Sequence, residues 1–427
     1  MTHLEVQLTQ ARQRADGLDA QDSLAVFRDH FSIADDELLY LDGNSLGRMP
    51  KATRKVLDRV VDQQWSQNLI RSWSENWYQA PQRIGDQLAD IIGARHGEVV
   101  VSDSTTINLF KMIVSALSLR PGRKRIISDE LNFPTDLYTL QSASHLLGAG
   151  HNLTLLPSPD TQTITLESYE QALSEEVALV TFSTPTFKSG FLHDIPEMTR
   201  MAHQVGALAL WDFSHAAGSI PLQVDAWNVD FAVGCTYKYL NGGPGAPAFL
   251  YVNNTHREAA MSKPWGWWGH AAPFKFDLAY EPSASIRRHL VGTPPVLSML
   301  AIEPALDIVE DAGMERIRAK GLQLGEFFVE LFDQLLSTLG YELGSPRDSQ
   351  RRGSHISIRH PEGYRIYQAL VATQNLIPDF REPDNIRLGF APLYTRFSDI
   401  VEAVRRLHLV VDEKHYEAFD EARATVT

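Results

Sequence analysis

The chain has 427 residues, of which 44% are hydrophobic and 22% charged, and a net charge of -14. That length exceeds what one small core fills, so two lobes are expected, and the acidic balance argues against nucleic acid or an anionic membrane surface as a partner. The single cysteine, Cys235, rules out an intrachain disulfide and any cysteine metal cluster, and no metal site is expected. It reads as a small buried apolar residue rather than a nucleophile. No apolar run approaches ~18 residues, so no membrane span is expected. The start, Met1-Thr2-His3-Leu4-Glu5, lacks the basic and apolar segments of a secretory signal, and the expected compartment is the cytoplasm.

Residues 4 to 31 carry apolar positions at helical spacing (Leu4, Leu8, Ala11, then Leu24, Phe27, Phe31), which predicts two short helices. Leu39-Tyr40-Leu41-Asp42-Gly43-Asn44-Ser45-Leu46-Gly47 then reads as a short strand entering a glycine-bounded turn. That turn either presents Asn44 and Ser45 to a cleft or only caps itself. A helix is predicted from 51 to 65. The aromatic stretch behind it holds Trp65, Trp73, Trp77 and Tyr78 around Arg71. Core or dimer contact is the commoner role for such a run, yet Asn68, Arg71 and Ser72 are placed to reach an aromatic substrate from it.

From about 98 to 253 short β-rich runs alternate with helical segments. Strands are predicted at 99–101, 125–128, 153–156, 178–182, 207–211, 229–234 and 248–252, and helices at 107–119, 136–147, 166–173 and 195–205. The alternation predicts a mainly parallel seven-stranded sheet with helices on both faces, and ligands at the carboxyl ends of its strands. Several candidates fall at such ends. Ser102-Asp103-Ser104-Thr105-Thr106 opens a helix after the first strand. Its hydroxyls and free N–H groups suit a phosphate, while ordinary N-capping would use the same residues. Phe133-Pro134-Thr135-Asp136 follows the second strand; Phe133 can stack on a flat ring, and Asp136 either caps the next helix or approaches Lys238.

Beyond residue 300 longer amphipathic helices are predicted at 301–312 and 314–339, within a helical stretch from about 296 to 337 that would bridge the lobes. Strands near 355–359 and 386–390 complete a smaller α+β lobe. Residues 344–353, with Pro346 and three arginines, read as a solvated loop. The boundaries expected are an N-terminal arm, 1–45, joining the small lobe, a large domain, 46–300, and the small domain, 301–427. Arg387 lies in the late strand, where it either pairs with a substrate carboxylate or forms a structural ion pair.

Two residues give this pattern a chemistry. Lys238 follows the strand at 229–234 and enters a glycine-rich turn, Asn241-Gly242-Gly243-Pro244-Gly245, while Asp212 ends the strand at 207–211. A lysine to bond covalently to the aldehyde and a carboxylate to keep a pyridine nitrogen protonated are what pyridoxal phosphate (PLP) requires of a protein.

Several motifs, in order from about residue 39 to 400, resemble the kynureninase family within the fold type I PLP-dependent enzymes of the class V aminotransferase superfamily. They are Gly43-Asn44-Ser45-Leu46-Gly47, Asp103 to Leu109, Phe133 to Asp136, Asp212-Phe213-Ser214-His215-Ala216, Tyr237-Lys238, Gly266-Trp267-Trp268-Gly269-His270, Gly292-Thr293-Pro294-Pro295, and Arg387 with Ala391-Pro392-Leu393-Tyr394. The resemblance implies that Lys238 carries the cofactor, that Asp212 pairs with its ring nitrogen and that His215 sits near its ring oxygen. It places Thr105, Thr106 and Tyr237 on the phosphate, with Trp267 and Thr293 reaching the same site from this chain or a partner subunit. Phe133 would stack on the ring, Asp136 and Ser183 would be further cofactor contacts, Arg387 would bind the substrate carboxylate, and Ser45 and Asn68 would shape the pocket for an aromatic amino acid. Catalysis would rest on Lys238 and Asp212, with Tyr237 either sharing in proton transfer or binding phosphate only.

The implied activity is hydrolysis of L-kynurenine, or its 3-hydroxy form, to anthranilate (or 3-hydroxyanthranilate) and L-alanine, in tryptophan breakdown and on the route to NAD, by a homodimer with composite active sites. One stretch departs from the family: Ser183-Thr184-Pro185-Thr186-Phe187-Lys188-Ser189 stands where an Asn-Tyr-Arg-Thr-like run is expected. That keeps open a relative acting on another β-acyl amino acid, or another class V lyase or aminotransferase. A desulfurase would need a cysteine on a mobile loop, and Cys235 at a strand end argues against it. A non-catalytic scaffold would have no reason to keep Lys238, Asp212 and Arg387 together.

Overall fold

A computed structural model describes residues 3–420 and 422. Its centre is a seven-stranded sheet: β1 (Val99–Val101), β2 (Arg125–Asp129), β3 (Asn152–Leu156), β4 (Val177–Ser183), β5 (Leu208–Asp212), β6 (Phe231–Gly234) and β7 (Phe249–Val252). Across the sheet the order is β1-β7-β6-β5-β4-β2-β3. β7 runs antiparallel to both neighbours and every other pairing is parallel. Every residue of β4 and β5 is buried, as continuous apolar strands must be when helices cover both faces of a sheet. Two reversals through β7 leave β1 pointing the same way as β6. The carboxyl ends of β1, β2, β4, β5 and β6 therefore share one edge, and the segments that leave them meet there.

The smaller sheet is antiparallel, in the order Asp379–Arg381, Asn385–Gly389, His355–Arg359, Glu342–Leu343. Helices Met314–Leu335, Gly363–Thr373 and Phe397–Asp412 share a core with it. Ala11 and Ala15 of the N-terminal helix and Leu39 and Leu41 belong to the same core. Leu39–Tyr40 pairs in parallel with Leu376–Ile377. The turn at Asp42 to Gly47 is thus pinned to the small sheet at one end, and at the other Gly47 N–H donates to the Tyr237 carbonyl at 2.8 Å.

Several expectations need correction. Residues 3–21 form one 19-residue helix followed by a 3-10 segment at Ala25–His30, not two short helices. The helix from Lys51 is regular only to Arg59 and continues as wider π turns over Val60–Asn68. The two helices expected at 301–312 and 314–339 are Glu303–Ala312 and Met314–Leu335, parted by Gly313 at φ 78, and a short helix, Val296–Leu300, precedes them in the bridging stretch. Residues 344–353 are solvated only in part: Arg347, Asp348, Gln350 and Arg351 are exposed, but Ser345 and Arg352 are buried, Phe191 and Arg352 form a β-bridge, and Gly353 N–H donates to Gly190 O at 2.8 Å. This segment packs on the one that departs from the family pattern.

Candidate active site

Lys238 enters the shared sheet edge from a tightly held turn. Asn241 and Gly242 N–H groups donate to the carbonyls of Lys238 and Thr236 at 2.9 and 2.8 Å, and Cys235 N–H donates to Ser214 Oγ at 3.1 Å. A cavity of about 260 Å³ opens there. The residues to which the family resemblance gives a site role all line it except Trp267, Thr293 and Asn68; Arg71 and Ser72, expected to reach a substrate, do not line it and instead donate to the carbonyls of Asn68, Gln67 and Gln64.

Asp212 is 4% exposed, and its Oδ1 accepts the Ser214 N–H at 2.8 Å. The register of β4 against β5 sets Ser183 opposite it. Asp136 lies in the first turn of Pro134–Leu147 but does not cap it; the N-cap position is Phe133, with no side-chain cap bond. Of its two readings, the approach to the site is the one realised. Its carboxyl hydrogen-bonds with that of Asp212. Burial, then the neighbouring Asp212 charge, push Asp136 well up. Burial also raises Asp212, against the Ser214 hydrogen bonds and the nearby Lys238 cation. Like charges this close cannot both ionise. Asp136 is the member that keeps a proton, and Asp212 is the anion.

Lys238 Nζ lies 3.1 Å from His215 Nε2. Burial first, and then Lys238, push the His215 imidazole far below its ordinary value, so it is a neutral acceptor. Burial also lowers Lys238, which favours the free amine. Beneath His215 the ring of His355, itself 0% exposed, lies 5.4 Å away centroid to centroid. Tyr237 is half-buried, and the adjacent Cys235 and burial hold its hydroxyl protonated. Burial likewise keeps Cys235 a thiol.

At the far side Thr105 and Thr106 open the helix Thr105–Ser118, behind its N-cap Ser104. First-turn N–H groups have no partner within their helix and favour an anion. At the rim, Phe133 stands edge-on to Phe187 at 5.4 Å. Arg387 donates from Nη1 to the Phe187 carbonyl and from Nη2 to Ser45 Oγ at 3.3 Å, and is ion-paired with Asp379.

The donor set fits PLP. An anion cradle, a buried carboxylate and a primary amine stand around one cavity, and these match the phosphate, ring nitrogen and aldehyde of that cofactor.

The remaining three residues sit elsewhere. Trp267 stacks on Trp268 at 5.5 Å and meets Trp73 edge-on at 6.2 Å. Thr293 is exposed, and Asn68 donates to Glu75 Oε2 at 2.8 Å. Trp267 also meets Phe274 at 6.1 Å, and Phe274 meets Phe276 at 6.5 Å; these rings are exposed, as are Leu69, Ile70 and Leu278 elsewhere in the chain. Phe187 and Arg381 line the cavity without having been singled out as site residues. Asp379-Phe380-Arg381 is too short to show a strand period in the sequence, and only its pairing with Asn385–Gly389 puts both charges on one face beside Arg387.

Residues 317–407 match a family model described as the kynureninase C-terminal domain. The chain is 41% identical over 416 residues to a kynureninase of Pseudomonas fluorescens, covering 96% of this chain and 98% of the relative. It is 41% identical over 422 residues to a kynureninase of Burkholderia pseudomallei strain 1106a, covering 97% and 99%. Among solved structures, a C-DES mutant with glycine covalently linked to its PLP cofactor superposes with a TM-score of 0.78 at 17% identity, over 89% of this chain and 98% of that one. The apo cysteine desulfurase of Thermococcus onnurineus NA1 gives 0.76 at 17% identity, over 88% and 96%. At such identity these structures speak to the fold alone. Among the described residues no helix is long and apolar enough to cross a membrane.

Proposed function

The chain belongs to the kynureninase family, and on that premise we propose that it uses PLP to hydrolyse the Cβ–Cγ bond of L-kynurenine or its 3-hydroxy form. The products are anthranilate, or 3-hydroxyanthranilate, and L-alanine. The single observation that carries the reading is Lys238 and the buried Asp212 on one cavity with Arg387 at its rim, in a chain 41% identical end to end to named kynureninases.

Bound there, the cofactor supplies an electron sink for charge developed at the substrate's α and β carbons. Thr105, Thr106 and Tyr237 hold its phosphate, Asp212 its ring nitrogen proton, Phe133 its face, and His215 and Ser183 its ring substituents. Asp136, protonated, steadies Asp212. Arg387 takes the α-carboxylate of the substrate, with Ser45 beside it. The Lys238 amine, its pKa lowered by burial, removes the α-proton and can return a proton nearby. Water adds to the γ-carbonyl carbon. As the Cβ–Cγ bond breaks, the γ-carbon leaves as the aryl carboxylate and the β-carbon takes a proton. The Tyr237 hydroxyl, kept protonated, is the donor proposed for that carbon.

A second reading, a substrate with a different acyl group, is favoured by one observation. The ring of Phe187, in the segment that departs from the family pattern, lines the cavity against Phe133.

We assign the chain to a homodimer with composite sites, in the cytoplasm, with residues 46–300 and 301–427 as its lobes and 1–45 as an arm onto the smaller. Exposed aromatic and aliphatic groups this dense mark an interaction surface. Trp267, Thr293 and Asn68 lie on it and would complete the partner's site.

The test is to mix PLP-loaded protein with L-kynurenine and 3-hydroxykynurenine and follow the fluorescence of the aryl product, with Lys238→Ala alongside. Prompt product from the parent and none from the variant is the expected result. A PLP-loaded parent that leaves both substrates untouched overturns the substrate.

A further inference from the structure

The rim of the cavity holds more charge than one substrate carboxylate requires. In the small sheet Asp379 is the direct cross-strand partner of Arg387, and Arg381, two residues along, shares its face. The Asp379 carboxylate is 5% exposed and has three partners. Oδ2 is ion-paired with Arg387 Nη2 and accepts from Ser45 Oγ at 3.0 Å, while Oδ1 accepts from Arg381 Nη1 at 2.6 Å. The two guanidiniums differ in access: the Arg387 side chain is 2% exposed and that of Arg381 is 31% exposed. Arg387 Nε, buried, has no partner.

A charge count follows. Asp42 also faces both guanidiniums, but it is ion-paired with neither and burial pushes its carboxyl up; among the ion-paired groups, two guanidiniums and one carboxylate leave a single positive charge, enough for one more carboxylate. An incoming α-carboxylate competes with Asp379 for Arg387 Nη2, and Asp379 has a second cation to hold.

We propose that Asp379 is a resident carboxylate that limits this end of the site to one anionic group, keeping Arg381 for itself and yielding Arg387 to the α-carboxylate of the substrate. It is a specificity-determining residue that acts through the two arginines. The proposal rests on the amino-acid substrate reading above.

Two single variants and their combination test it. In Asp379→Asn the rim carries two uncompensated guanidiniums, so L-aspartate, with two carboxylates, gains at least about tenfold in affinity relative to L-alanine, a tenfold change being 1.4 kcal/mol. In Arg381→Gln the Asp379 carboxylate has only Arg387 to sit on, so KM for kynurenine rises about tenfold with kcat nearly unchanged. In Asp379→Asn/Arg381→Gln the competitor is gone and KM returns towards that of the parent. Affinities for L-alanine and L-aspartate are read by calorimetry on the full PLP-loaded chain, and KM and kcat from product fluorescence. An unchanged aspartate-to-alanine ratio in Asp379→Asn overturns the proposal, as does a double variant with a KM worse than that of Arg381→Gln. If the parent binds both amino acids but releases no aryl product, the substrate reading has failed, and the calorimetric ratio still decides the role of Asp379.

Discussion

Lys238 Nζ and His215 Nε2 stand 3.1 Å apart in a site where burial keeps the imidazole uncharged and lowers the lysine. A neutral acceptor at that distance orients the amine without repelling it, whereas an imidazolium would put two cations in contact.

The first prediction concerns pH. Because the imidazole of His215 lies far below its ordinary value, it does not titrate between about pH 8 and pH 6, where a free histidine would. His215→Gln keeps a polar partner for Lys238 and is expected to lower kcat/KM by roughly tenfold, leaving the shape of the profile intact. A limb near pH 6.5 that vanishes in the variant would show His215 titrating normally.

The buried acid pair should respond asymmetrically. Asp136 is held protonated, so Asp136→Asn replaces one neutral group by another and is expected to cost under about tenfold in kcat. Asp212→Asn removes the one anion available to a ring nitrogen and is expected to cost on the order of 10²-fold or more. Equal losses from the two variants would mean that the charge sits on either carboxyl.

Stability should carry an acid-side signature from His289, which is 1% exposed, bonded through Nδ1 to Ser262 Oγ at 2.9 Å, and pulled by burial down to about 3. The depressed value means the unfolded chain binds the proton more readily. The contribution of His289 is therefore fully present above its unfolded value near 6.5 and is lost as pH falls towards the folded one. At pH 5 the loss is about 2 kcal/mol. His289→Asn should remove that part of the pH dependence, so the difference in unfolding free energy between parent and variant changes by about 2 kcal/mol between pH 8 and pH 5. A constant difference would refute the assignment.

The aromatic surface gives a test of assembly. Leu278 is fully exposed and Phe276 is 77% exposed. Leu278→Asp places a charge where apolar contact is expected, and should shift the protein from dimer to monomer in sedimentation and lower activity at least about tenfold, with its secondary structure kept. A parent that sediments as a monomer while fully active would exclude the composite site.

The large sheet was legible in the sequence because its strands are unbroken apolar runs separated by helical periods. β4 and β5 differ from their expected ranges by one residue at either end. Lys238 and Asp212 were legible for a related reason. Asp212 ends a strand and Lys238 lies just beyond one, and a parallel sheet sends all such residues to one edge. The small lobe was harder to read. Asp379–Arg381 is only three residues long, too short to show a period, and its meaning lies in the register against Arg387. The segment 344–353 looked polar, but one of its three arginines, Arg352, is buried through contacts with residues distant in the chain.

The sequence by itself determined the class of chemistry, since a lysine, an aspartate and a hydroxyl-rich helix start are needed whatever their distances, and their order along the strands already implies a common edge. Only the tertiary structure decided which member of the Asp136–Asp212 pair holds the proton, that His215 is neutral, that Arg387 is already occupied by Asp379, and that Trp267, Thr293 and Asn68 face outward. Each of these depends on burial or on a contact between segments far apart in the chain, and neither quantity is carried by local pattern.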